Sequence, residues 1–424
     1  MKKLIFILWV MLWGIPVFAQ SEANTENDFS IGVQLRPRAE HRNGVLSPLD
    51  KNDDPAALIS NRARISMEYQ REKLALGFSG QHVGVWGQDP ALEMSGRAML
   101  NEAWATIAPG GGLFFKLGRQ SLAYDDDRIL GTLDWHVSGR FHDALKMGYE
   151  NTRNKLHFIL AYNQNGDKLT ANSGTFYAPA GQPYKTMQTA WYQYTANKLF
   201  NVSVLAMNLG FQAGTSTFPE VKYMQTFGTN ISVQPGAFQL YGTFYYQTGK
   251  TASDRSVSAY MGALNASYQI SPAWKITLAS DYLSGDNTDA AKYTAFDVLY
   301  GTHHKFYGTM DYYYPNFTRG LWDNQLAATF KASSKVTLAL NYHYFLTTTD
   351  VTVDQNTQSR LLGTEVDFQI TWNIMQDVAL VGGYSAMLGT DAMKVVKNVP
   401  DAKELQNWTW VSLNINPKVL ITRW

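Results

Sequence analysis

The stretch LRPRAEHR, Leu35 to Arg42, carries Arg36, Arg38, Glu40 and Arg42 at a spacing of two. At the two-residue period of a β-strand these side chains share one face, with Leu35, Pro37, Ala39 and His41 on the other. ISNRARISMEYQ repeats the arrangement, setting Arg62, Arg64, Ser66, Glu68 and Gln70 against Ala63, Ile65, Met67 and Tyr69. Rows of guanidinium forks suit the recognition of carboxylates rather than bond breaking. Burying such a row in a dry core is expensive, so this face must look at water.

Other groups could do chemistry of a different kind. His136 and Ser138 in DWHVSGR have a spacing that could pair a base with a nucleophile, but they sit in a long loop without a clear orienting partner. Asp125, Asp126 and Asp127 could hold calcium, as could Asp286 and Asp289 in SGDNTDA. Solvated loop acids are the commoner outcome, and no metal or cofactor is expected at either place. FYGTMDYYYPNF gathers six rings behind His303, His304 and Lys305. It reads as a sugar-facing platform, as a gate folded inward, or as loop packing, and a histidine pair alone is a poor zinc site.

The elements that must position these residues are strands. Tyr, Phe and Trp number 24, 21 and 12, while charged residues are only 17% of the chain, a strand-rich balance. The first residues, MKKLIFILWVMLWGIPVFA, have a basic start, an apolar run and a small-residue end, so residues 1–19 read as a signal peptide and 20–424 as one mature domain. Losing Lys2 and Lys3 with the leader takes the formal charge from +1 to −1, which argues against a nucleic-acid partner. There is no cysteine, hence no disulfide framework and no thiolate metal site.

After about residue 29 the chain alternates apolar and polar residues in segments of roughly 9 to 13 residues. LLGTEVDFQITWN sets Leu362, Val366, Phe368, Ile370 and Trp372 against Glu365, Asp367, Gln369, Thr371 and Asn373. KLHFILAYN does the same with Leu156, Phe158, Leu160 and Tyr162, and only Ile159 is out of character. Tight turns near 71–73, 109–112, 151–154, 197–199, 234–236, 271–273, 332–334 and 373–376 interleave with long connections near 43–58, 87–98, 123–142, 165–187, 212–222, 249–256, 285–321, 346–360 and 389–405. The rhythm predicts an all-β fold, a transmembrane antiparallel barrel of about 18 strands with short periplasmic turns and long extracellular loops, both termini lying at the turn end. Tyr69, Trp86, Tyr149, Tyr162, Tyr268, Trp274, Trp372 and Tyr384 would form its aromatic girdles. Lipid then solvates the apolar rows, and the charged rows face a water-filled lumen, where closure could bring Glu365 and Asp367 near Arg36 and Arg38. The last strand's extent is open, because Pro417 interrupts it.

LRPRAEHR, ISNRARISMEY, QHVGVWG, KLGRQSLAYDDDRILGTLDWHVSGRFHDALKMGY and LYGTHHKFYGTMDYYY followed by GLWD resemble, in order and spacing, members of the alginate-export porin family of Gram-negative outer membranes. The resemblance spans nearly the whole mature chain. It implies an 18-stranded monomeric barrel whose arginine-rich, partly acidic constriction passes an anionic uronate polymer, with loops gating the pore. On the matching motifs it carries lumen roles to Arg36, Arg38, Glu40, Arg62, Arg64, Glu102 in LNEAW, Arg119 in GRQ, Arg128 in DDRILG, and Arg140 with Asp143 in GRFHD. His82 and Gly84 stand where the family pattern has an acid and an arginine. The expectation is an outer-membrane porin that passively conducts anionic or polar saccharides. The arginines guide, and Glu40, Glu68 and Asp143 space them. A generic diffusion pore for small anions or nutrients and, remotely, an outer-membrane hydrolase are the alternatives.

Overall fold

The computed structural model describes residues 26–89, 98–164, 176–177, 183–286, 291–313, 317–353 and 358–424. The expected signal peptide, the centre of the 87–98 connection, most of 165–187, Asp289 and Tyr314 lie outside the described residues. Twenty strand segments form one sheet that closes on itself. One of them, Lys292–Tyr293, is a two-residue piece of a loop. Two others, Leu405–Ile415 and Lys418–Arg423, both pair antiparallel with the first strand and are halves of one crossing strand. The wall is therefore a closed antiparallel barrel of 18 strands.

The expected pattern positions the strands because each outer row is solvated by hydrocarbon and each inner row is not. β1 (Asp28–Asn43), β2 (Ala56–Arg71), β3 (Leu74–Val85), β4 (Met99–Gly110), β5 (Leu113–Gln120) and β6 (His142–Glu150) follow one another around the wall. Leu35, Ile65, Phe78, Leu117, Phe158, Phe244, Leu326 and Phe368 are exposed on the outside. Aromatic rings gather toward the turn rim, where Phe238 packs on Tyr268 and Trp274 stacks on Phe330 at 4.4 Å.

All eight expected tight turns join consecutive strands. Three connections expected to be long are short, at 215–218, 251–255 and 353–357, because strand pairing there continues past the apolar band into water. The seam between first and last strands ends in mutual hydrogen bonds between Asn27 and Trp424, so both ends of the barrel strand lie at the tight-turn rim. Pro417, which has no amide hydrogen, breaks the last strand, and its carbonyl accepts from Val33 N at 3.0 Å.

The interior is not water-lined throughout, which corrects the expectation. Inner positions near the tight turns are polar, such as Asn230, Thr243 and Ser267, whereas nearer the long loops they are Met187, Leu209, Met224, Met261 and Leu283, all buried. Ile159 is fully buried on this inner face, which accounts for its misfit in the alternation. Two connections, residues 121–141 and the described parts of 284–320, fold into the barrel and pack there through Leu122, Ile129, Leu130, Tyr300, Tyr307, Met310, Tyr312 and Tyr313. A short helix, α1 (Asp391–Lys397), covers them from the loop side, with Lys397 Nζ donating to the carbonyls of Tyr312 and Leu46.

Candidate functional site

The two inserted connections divide the lumen by charge. Residues 134–138 of the first lie as a strap along β1 and β2. Arg36 donates to the carbonyl of Asp134 at 2.8 Å and of His136 at 3.0 Å. Arg38 reaches the carbonyl of Trp135 at 3.2 Å and stacks over its indole, 4.4 Å from the ring centroid. Arg62, fully buried, donates to the carbonyls of Asp134, His136 and Val137 and to Asp134 Oδ1 at 2.6 Å. Arg64 donates to Gln81 Oε1 at 2.9 Å and to the carbonyl of Ser138 at 3.4 Å, and Gln81 binds that same carbonyl at 2.8 Å. Successive backbone carbonyls thus occupy a ladder of guanidinium forks. Trp135 locks the strap from the other side, stacked on His304 at 4.2 Å and edge-on to Trp408 and Trp410.

Glu40 orients the top of the ladder. Its carboxylate accepts from Arg38 and Arg42, both at 2.9 Å, and from Trp408 Nε1 at 3.1 Å. Among the described residues, four guanidinium groups, Arg36, Arg38, Arg42 and Arg62, therefore share two bonded carboxylates, Glu40 and Asp134, the latter's side chain 54% exposed, and Arg64 bonds none. The remaining partners are neutral, and the wall keeps excess positive charge.

Another stretch of the wall is acidic and holds the second connection. Asp281, Asp323, Glu365 and Asp367 are all buried and face inward. Asp323 and Asp367 flank His343 at 3.0 and 3.4 Å. Glu365 accepts from Met310 N at 3.0 Å, and Asp367 from Thr309 Oγ1 at 2.5 Å. These bonds to the inserted loop replace the expected approach of Glu365 and Asp367 to the arginines. Arg128 makes a two-pronged bond to Asp281, 3.0 Å on each side, and another to Asp126 at 2.7 Å. Burial alone would lower the Arg128 guanidinium; Asp281, Tyr307 and Asp126 outweigh it and hold it above its usual range.

The two connections also bind each other. Gly131 N donates to the carbonyl of Tyr300, Tyr300 N to that of Ile129 and Thr302 N to that of Asp127. A Cβ at Gly301 would lie 2.2 Å from the Arg128 oxygen, so only glycine lets the backbones approach this closely. Arg140 joins them, donating to the Gly301 carbonyl at 2.8 Å. It also lines a cavity of about 290 Å³ with Phe211, Tyr293, Asp297, Tyr300 and Phe317.

The other expected site residues lie elsewhere. Glu68 points inward but is largely solvent-exposed at the tight-turn mouth, 3.8 Å from Lys418. Glu102 is inside and accepts from Ser121 N at 2.7 Å, anchoring the root of the first connection. Arg119 and Asp143 are a correction. They pair with each other at 2.9 Å in the register of Leu117 and Leu145, which is the outer side of the wall, so they clip two strands together and do not line the lumen. The alternation in LFFKLGRQ already sets Arg119 with Leu117 rather than with Lys116.

Asp125, Asp126 and Asp127 diverge to different partners: Ser203 and Trp191, Arg128, and Lys305. Burial pushes Asp125 up to about 6 against the hydrogen bonds from Ser203 and Trp191. His136 Nδ1 does meet Ser138 Oγ at 2.8 Å. Burial and then the surrounding arginines lower the imidazole, and no carboxylate is bonded to it among the described residues, so the contact is a turn staple within the strap. Sequence reasoning missed the strap itself, since a loop has no period. It also missed Lys116 and Lys146, which the strand period does place on the inner face.

A family model described as alginate export matches residues 29–395. Among curated proteins none matches this sequence. Of solved structures, the Pseudomonas aeruginosa outer membrane protein OpdK is similar with a TM-score of 0.62 at 9% identity, covering 93% of this chain and 99% of that one. OccK3 (OpdO) of the same organism has a TM-score of 0.62 at 9% identity over 92% and 96%, and OccK9 (OpdG) 0.60 at 12% over 92% and 98%. At such identities the likeness is one of fold.

Proposed function

Since this chain belongs to the alginate export family, we propose that it is an outer-membrane channel passing anionic saccharides, uronates in particular, along the arginine ladder of β1 and β2. The carrying observation is the imbalance on that wall, where among the described residues four guanidinium groups share two bonded carboxylates, Arg64 bonds none, and neutral amide oxygens fill the other fork positions. A carboxylate makes a stronger bond to a guanidinium than a carbonyl does, so a uronate competes for the same forks and displaces the strap. Arg36, Arg38, Arg62 and Arg64 are the groups it would meet. Glu40 keeps Arg38 and Arg42 extended, and Arg128 and Arg140 hold the two inserted connections together. Transport is passive and uses no cofactor. The packed loop-side half of the lumen argues against a permanently open diffusion pore.

The test is the reversal potential of the barrel in planar bilayers under a salt gradient. Wild type is expected to prefer anions, and Arg62→Gln with Arg64→Gln to lose most of that preference while keeping the heat-dependent gel mobility of a folded barrel. Undiminished preference in the folded double variant overturns the reading.

A further inference from the structure

Lys116 on β5 and Lys146 on β6 stand directly opposite each other in the strand register, on the lumen side, with Phe115 and Leu117 exposed outside. Like charges in that arrangement repel. Each ammonium has three donors to place, yet among the described residues neither ammonium makes a hydrogen bond or an ion pair. What lies against them is aromatic: Lys116 Nζ is 3.6 Å from the Trp104 ring centroid, and Lys146 Nζ is 5.5 Å from that of Phe114 and 5.4 Å from that of Tyr124. Ring faces attract a cation but accept no conventional hydrogen bond. The acids on the same strands are engaged elsewhere, Glu150 with His157 at 2.8 Å and Lys155 at 3.5 Å, and Glu102 with Ser121. Trp104 lies flat on the wall over Gly77, where a Cβ would sit 2.4 Å from its ring, so the space in front of the pair is not closed off by that side chain.

Depth gives the pair its place. Lys116 is three residues beyond Leu113 at the tight-turn rim, roughly 10 Å of strand, whereas Arg64 is seven residues from Arg71, roughly 23 Å. A polyanion entering from the tight-turn side meets the lysines before the ladder.

We propose that Lys116 and Lys146 form a carboxylate clamp, a separate anion subsite between the tight-turn mouth and the strap. It receives one uronate carboxylate, an oxygen to each ammonium. A neutral sugar supplies no such group and is not held. This assignment rests on the reading of the lumen as a uronate path.

The test is calorimetric titration of the full barrel in detergent with trigalacturonate, using maltotriose as the uncharged control. Wild type is expected to bind the first and not the second. Lys116→Gln and Lys146→Gln should each weaken binding about tenfold, the loss of one charge-assisted hydrogen bond. Lys116→Arg should restore most of it. Unchanged affinity in a folded Lys116→Gln, Lys146→Gln barrel overturns the clamp. So does absence of trigalacturonate binding by a wild type that still prefers anions in the bilayer, and in both cases the arginine ladder stands. Absence of both binding and anion preference overturns the parent reading along with the clamp.

Discussion

Replacing Asp134 with asparagine asks whether charge holds the strap in the lumen. Asp134 Oδ1 accepts from Arg62 at 2.6 Å and Oδ2 from Arg36 at 3.3 Å, and asparagine keeps the shape while removing the charge. A hydrogen bond between charged groups contributes about 1.5–3 kcal/mol against about 1 kcal/mol for a neutral one. The Asp134 side chain is 54% exposed, so water screens the pair and the lower end applies. At about 0.5 kcal/mol for each of the two bonds, a net loss of about 1 kcal/mol moves the balance between docked and released strap roughly fivefold. The chain contains no cysteine, so Ser138→Cys supplies a unique thiol on the strap. Its modification by a charged thiol reagent should run about fivefold faster with Asp134→Asn than without, at unchanged heat-dependent gel mobility. Adding Arg62→Gln should then increase the rate by less than it does alone, because the two share one bond. An equal rate with and without Asp134→Asn refutes the electrostatic account and leaves the carbonyl bonds as the whole restraint.

Three further outcomes are expected. Arg128→Met strands the buried Asp281 carboxylate and should destabilise the barrel by about 3–5 kcal/mol, read as a lower temperature for the gel-mobility transition. Asp125, which burial raises to about 6, contributes docking stability that is fully present below the ordinary aspartate range and lost as pH rises through that value, so labelling of the strap thiol should accelerate across the window and Asp125→Asn should flatten it. Gly301→Ala drives a methyl into the Arg128 carbonyl oxygen and should part the two inserted connections, again as faster labelling of the strap thiol in an intact barrel.

The wall was legible in the sequence because its two solvents differ along every strand. Glu365 and Asp367 could be set inside, and Phe368 and Ile370 outside, from a run of thirteen residues. The same rule set Arg36, Arg38, Arg62 and Arg64 inward. What it could not supply were their partners, since Asp134 lies 72 residues from Arg62 and 98 from Arg36 in a loop with no period. Arg119 shows the reverse failure. Carrying its role from a motif overrode the alternation of its own strand, which the structure obeys. The packed half of the interior left traces such as Ile159 and Met261, apolar side chains on the inner faces of their strands.

The seam has a consequence for biogenesis. The edge of the first strand finds its full complement only when Lys418–Arg423 arrives, the last segment of the wall to be made and one that lies beyond a proline stopping the previous segment from extending. A nascent barrel that lacks this segment keeps an open edge from Asp28 to Ile31, a sticky β-template in the periplasm. The cylinder therefore has no unpaired edge along Asp28–Ile31 only when its complete set of strands is present.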